Sequence, residues 1–186
     1  SFIEREDIYA LIEGLLERVW KTALNIDVPV PFRRISFEEA INRYGIDKPD
    51  TRFGLELADF TEEFRTSQFK VFSGAIASGG VVKALNAKKL AGATQGQLEA
   101  MTEIAKSFGA KGLASIKVEG GEWKSPIVKF LSQGERDGLV ARTGLADGDV
   151  ILFGADRAKV VNDVLGTLRC RIAAARGLIP PGEYRF

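Results

Sequence analysis

The sequence predicts an α+β fold in which helices lie on one antiparallel sheet as a two-layer unit. Two observations carry this. Between residues 69 and 176, apolar residues follow the alternating period of strands and then the three-to-four spacing of helices. The resulting order is ββαββα, with one extra helix before the fourth strand. The two main helices each carry a single apolar stripe, which suits burial against one sheet face.

Ahead of that unit, residues 5 to 24 read as an amphipathic helix, with Ile8, Leu11, Ile12, Leu15, Val19 and Ala23 on one face. Glu4, Glu6 and Asp7 sit near its start, where the helix dipole favours anions. Pro29 and Pro31 impose an extended stretch. Ser36-Phe37-Glu38-Glu39 is a capping box for a short helix whose buried face would be Phe37, Ala40, Ile41 and Tyr44, ending at Gly45. A polar loop occupies 45 to 57.

The α+β unit then begins. Residues 69 to 76 and 81 to 87 are apolar or β-branched on either side of Ser78-Gly79-Gly80, which predicts a hairpin. Thr94 and Gln97 cap a helix to about 108, with Leu98, Met101, Ala105 and Phe108 as its stripe. A third strand spans 113 to 119 before the Gly120-Gly121 turn, and a helical stretch starts near 133. The fourth strand runs from Val150 to Phe153. Asp156 would cap the last helix, whose face is Val161, Val164, Leu165, Leu168, Ile172 and Ala175.

Composition narrows the chemistry. With 26 basic and 25 acidic residues the net charge is +1, so any nucleic-acid contact needs a local patch. Histidine is absent, which removes Ser-His-Asp and Cys-His schemes and the usual zinc sites. The lone Cys170 excludes an intramolecular disulfide and fits a reducing cytoplasm. No apolar run approaches the roughly 20 residues of a membrane span. The ends, Ser1-Phe2-Ile3 and Gly182 to Phe186, read as cut from a longer chain.

Few segments invite a chemical role. Ser78-Gly79-Gly80 lacks the following helix that a phosphate cradle needs. The carboxylate pairs Glu38-Glu39, Glu62-Glu63 and Asp147/Asp149 read as caps and turns. Lys83, Lys88 and Lys89 head a basic stretch that could meet RNA phosphates, although Glu99 and Glu103 interrupt it. The loop Asp47-Lys48-Pro49-Asp50-Thr51-Arg52 presents both charge signs. It suits either a capped turn with surface ion pairs or a ligand-facing loop.

That loop carries a resemblance. Arg43 to Leu57 (RYGIDKPDTRFGLEL) closely resembles the R-Y-G-S-D-K-P-D-x-R segment of bacterial-type, class II aspartyl-tRNA synthetases, with Ile46 where that family has Ser. Pro31 to Ala40 resembles the family's P-F-x-R-x-x-x-x-E-A segment, and Ser1-Phe2 resembles the chain after motif 2. Phe69 to Phe72 and Gly79 to Ala84 resemble the start of the inserted GAD domain, and the similarity covers essentially the whole chain.

The resemblance implies a GAD/DCoH-like ββαββα fold with a mostly helical flank from the class II catalytic domain. Residues 1–57 would be the flank, 58–176 the insertion and 177–186 the return segment. The parent would activate aspartate with ATP and Mg and transfer it to tRNA, as a cytoplasmic homodimer without a membrane anchor. Its catalytic motifs fall outside these residues, so no catalytic or metal-binding residue carries over and the fragment alone would hold no cofactor and be inactive. Asp47, Lys48, Pro49, Asp50 and Arg52 are the family-signature loop. An alternative is the GAD-type tRNA-binding module of a tRNA-dependent amidotransferase, and a freestanding carboxylate enzyme is a third.

Overall fold

The computed structural model describes residues 2–185. By contacts it divides into two compact units, residues 1–35 with 180–186, and residues 36–179.

The smaller unit is built on α1 (Arg5–Leu24). Its capping box is Glu4 with Asp7, whose carboxylate accepts from the Glu4 amide at 2.9 Å. Asn25 ends it in the left-handed conformation, φ 54°. The predicted apolar stripe forms but stays exposed, and α1 has no buried residue. Arg34 folds back along the helix to Glu6 and Glu13, each at 3.2 Å, and its guanidinium covers the Tyr9 ring at 4.2 Å.

The larger unit opens with α2 (Phe37–Tyr44). The Ser36 hydroxyl accepts from the Glu39 amide at 3.0 Å, as expected. Ala40 and Tyr44 are buried, but Phe37 is 71% exposed and does not belong to the buried face. A sheet follows in the order β1-β2-β5-β3-β4, all pairs antiparallel. Its strands are β1 (Leu57–Asp59), β2 (Val81–Ala87), β3 (Ala114–Glu119), β4 (Glu122–Lys124) and β5 (Val150–Asp156). The helices are α3 (Lys70–Ala77), α4 (Gln95–Ser107), α5 (Gln133–Thr143) and α6 (Ala158–Ala175).

The α+β class and the antiparallel sheet agree with the sequence, and the strand order within it needs correction. Residues 69 to 76 form α3, not a strand. Phe72 and Ile76, four apart, are buried together while Val71, just before Phe72, is 57% exposed, so the helical period prevails over the alternation. Ser78-Gly79-Gly80 is therefore a helix end and not a hairpin turn. Gly79 takes φ 80° and the Gly80 amide donates to the Ala75 carbonyl at 2.9 Å. A Cβ at Gly80 would lie 2.7 Å from the Asp156 carbonyl.

Helices cover both sheet faces, so the layering is helix–sheet–helix and not two-layered. Alternation along β2 and β5 sends Val82, Ala84, Ile151 and Phe153 to one core, with Phe60, Phe64 and Phe72 and with Leu139 of α5. Leu85, Ala87, Val150 and Leu152 go to the other, against α4 and α6. The register sets Leu85 opposite Leu152. Two further differences concern helix ends. Phe108 is the C-cap of α4 and 39% exposed. The N-cap of α6 is Arg157, whose amide donates to the Asp156 carboxylate at 2.7 Å. No helix of the described residues is long and apolar enough to cross a membrane.

Candidate functional site

The charged loop after α2 is built around one residue of α6. Arg169 is fully buried, the largest side chain so enclosed. Its guanidinium donates to the carbonyls of Leu55 (3.1 Å), Asp50 (2.8 Å) and Gly54 (3.2 Å). It lies between two rings, 4.4 Å from the Phe53 centroid and 4.8 Å from that of Tyr44. Burying a cation costs several kcal/mol. Here carbonyl dipoles and aromatic faces offset that cost, and among the described residues no salt bridge reaches the group. Burial nonetheless pushes the Arg169 pKa down. Leu55, at φ 65°, holds a left-handed conformation that aims its carbonyl into this cradle.

Two ion pairs close the outer side. Arg52 binds the Asp50 carboxylate at 2.7 Å, and Arg43 binds Glu56 at 2.6 Å and also Glu39. The Arg52 hydrogen bond holds Asp50 below the usual carboxylate range, and Arg43 does the same to Glu56. Of the signature residues, Asp47 and Lys48 stand exposed while Asp50 and Arg52 are half-buried. The loop is thus an anchored turn whose backbone is read by Arg169. No signal local to the loop names Arg169, which lies more than a hundred residues away.

Beneath the loop, α2 and α6 meet closely. A Cβ on Gly45 would sit 2.5 Å from the Asn162 carbonyl, and one on Gly166 3.0 Å from the Tyr44 carbonyl. Glycine at both positions is what allows the two backbones to touch.

The lysines proposed to meet RNA do not form one patch. Lys83 is 2% exposed and its ammonium points to the Asn42 carbonyl and amide oxygens at 3.5 and 3.3 Å. It cannot meet a phosphate, because its position in β2 faces the covered side of the sheet. Burial also lowers its pKa, opposed by Asp59. Lys88 and Lys89 are both exposed, but Lys88 is tied to Asp149 at 3.1 Å and to the Gly144 carbonyl. Among the described residues no three His, Cys, Asp or Glu side chains gather where a metal ion could be held.

Comparison with known proteins places this arrangement. The chain is 59% identical over 174 residues to an aspartate–tRNA(Asp/Asn) ligase of Opitutus terrae, covering 94% of this chain and 29% of that protein. Ligases of the same name from Thermodesulfovibrio yellowstonii and Halothermothrix orenii are 47% and 44% identical, over 99% and 100% of the chain. The chain spans about three-tenths of the length of these curated relatives. The GAD domain model matches residues 72–165, from the middle of α3 to the middle of α6. That span is half of the chain and includes four of the five strands, so the chain belongs to the GAD domain family.

Proposed function

We propose that the chain is the insertion-bearing part of an aspartate–tRNA ligase, a class II enzyme that activates aspartate with ATP and Mg and attaches it to tRNA. The observation that carries this is identity beyond the GAD match: relatives of that name align over 94% or more of the chain, including residues before 72 and after 165. That span favours a synthetase over an amidotransferase carrying a similar module. In this reading residues 1–57 and 177–186 are catalytic-domain flanks and 58–176 the insertion. The parent works in the cytoplasm as a homodimer, and Lys88 and Lys89 are its candidate tRNA contacts.

The test is ATP–pyrophosphate exchange. A full-length protein carrying this sequence is expected to exchange pyrophosphate when aspartate is supplied, and the 186-residue chain alone is expected to show none. Exchange by the isolated chain, or none by the full-length protein, would overturn the reading.

A further inference from the structure

The sheet order leaves part of one face without a helix. Along β3, Ile116 and Val118 enter one core, so Ser115 and Lys117 turn to the opposite face. There a cleft of about 570 Å³ runs between α4 and the β3–β4 hairpin. Within its mostly polar lining, half-buried Leu98 and Leu113 form an apolar strip above the fully buried Leu152.

Two lining charges of opposite sign have no salt bridge. The Lys117 ammonium donates to the Ala93 carbonyl at 3.2 Å; it forms no salt bridge among the described residues, although it lies within the field of Glu119. Glu99, exposed at the mouth, accepts from the Gln95 amide at 3.1 Å and pairs with no described cation. The other two lining charges, Lys124 and Glu119, satisfy each other at 2.9 Å.

We propose that this cleft binds an α-amino acid with an apolar side chain. The carboxylate meets Lys117, the ammonium meets Glu99, and the side chain lies on the leucine strip. A polyanion gains little, because the four charges cancel. A neutral molecule leaves Lys117 and Glu99 unmatched. The volume falls within the roughly 300–1,000 Å³ of small-molecule sites. The cleft shares no residue with the loop around Arg169, so it stands whether or not the ligase reading does.

The experiment is a titration of the isotope-labelled 186-residue chain with leucine, followed by amide NMR shifts. At about 10 mM, ten times a millimolar Kd, saturable shifts are expected within 95–102, 113–119 and 124–126. Leucinamide, which lacks the carboxylate, and N-acetylleucine, which lacks the ammonium, should each bind at least about tenfold more weakly. Lys117→Gln should weaken leucine by a similar factor, and Glu99→Gln at the exposed mouth gives the same readout should Lys117→Gln perturb the fold. Absence of saturable shifts, binding of either blocked analogue as tightly as leucine, or shifts with AMP or inorganic phosphate but not leucine would overturn the proposal.

Discussion

The guanidinium of Arg169 lies 4.4 Å from the centroid of the Phe53 ring, and the same group donates to the carbonyls of the residues around that ring. One side chain of α6 therefore fixes the ring and the backbone path of the loop together. Replacing it strands at least three carbonyls in a buried site. Arg169→Met should cost about 2–4 kcal/mol of unfolding free energy. Arg169→Lys should recover little, since a point ammonium cannot reproduce the planar fork. Urea denaturation measures the loss, and hydrogen exchange should show earlier opening of residues 52–55.

Asp149 is the second buried charged hub. Its carboxylate accepts from the Lys89 and Ala146 amides at 2.9 and 3.1 Å, from the Asn86 side chain at 3.0 Å and from Lys88 at 3.1 Å. Desolvation raises its pKa, but these bonds outweigh it and the net shift is downward. A depressed folded pKa means that stability is fully present above the unfolded value of about 3.9. It is lost as pH falls through the folded value. Unfolding free energy should thus decline below about pH 4. Asp149→Asn should lower stability at pH 7 and flatten that decline. Urea midpoints at pH 7, 5, 4 and 3 measure both.

Lys83 gives a slope of the same sign at the alkaline end of the pH range. Its folded pKa is lowered by burial, so between that value and the unfolded one, about 10.4, the unfolded chain binds more protons. Stability should rise with pH through this window, and Lys83→Met should abolish the rise. The same variant should leave the salt dependence of tRNA binding by a full-length protein unchanged, because the ammonium is enclosed. A reduced salt slope would show that Lys83 reaches phosphate after all.

The elements that could be read from sequence are those with strong ends. α1, α4 and α5 each carry a capping box and close with a left-handed residue or a glycine soon after; the bounds of α1 and α4 fall within a residue of where periodicity puts them, and α5 starts at the expected 133. Residues 69 to 76 misled because Phe69, Lys70 and Val71 alternate apolar and polar as the start of a strand would. The deciding contacts of Phe72 with Phe64 at 4.9 Å and Phe153 at 5.2 Å are tertiary. β1 and β4 are three residues each, too short to show any period. For the site, resemblance found the loop and missed its anchor. A signal existed, since Arg169 is four residues from Leu165 and three from Ile172, inside the apolar stripe of α6. Lys83 carried the same signal, sharing the inward frame of Leu85 in β2.

The strand order also sets a schedule for making the protein. β5 is the last strand of the chain, yet it lies in the middle of the sheet, joining β2 on one side and β3 on the other. A ribosome that has released β1 to β4 has therefore delivered two separate antiparallel pairs whose joining edges have nothing to bond to. Both cores close only when Val150 to Asp156 emerges and zips the halves together, followed by α6 with Arg169. Vectorial synthesis thus leaves the sheet open until nearly the end of translation of this segment, and the loop at Asp50 to Leu55 waits more than a hundred residues for its partner Arg169.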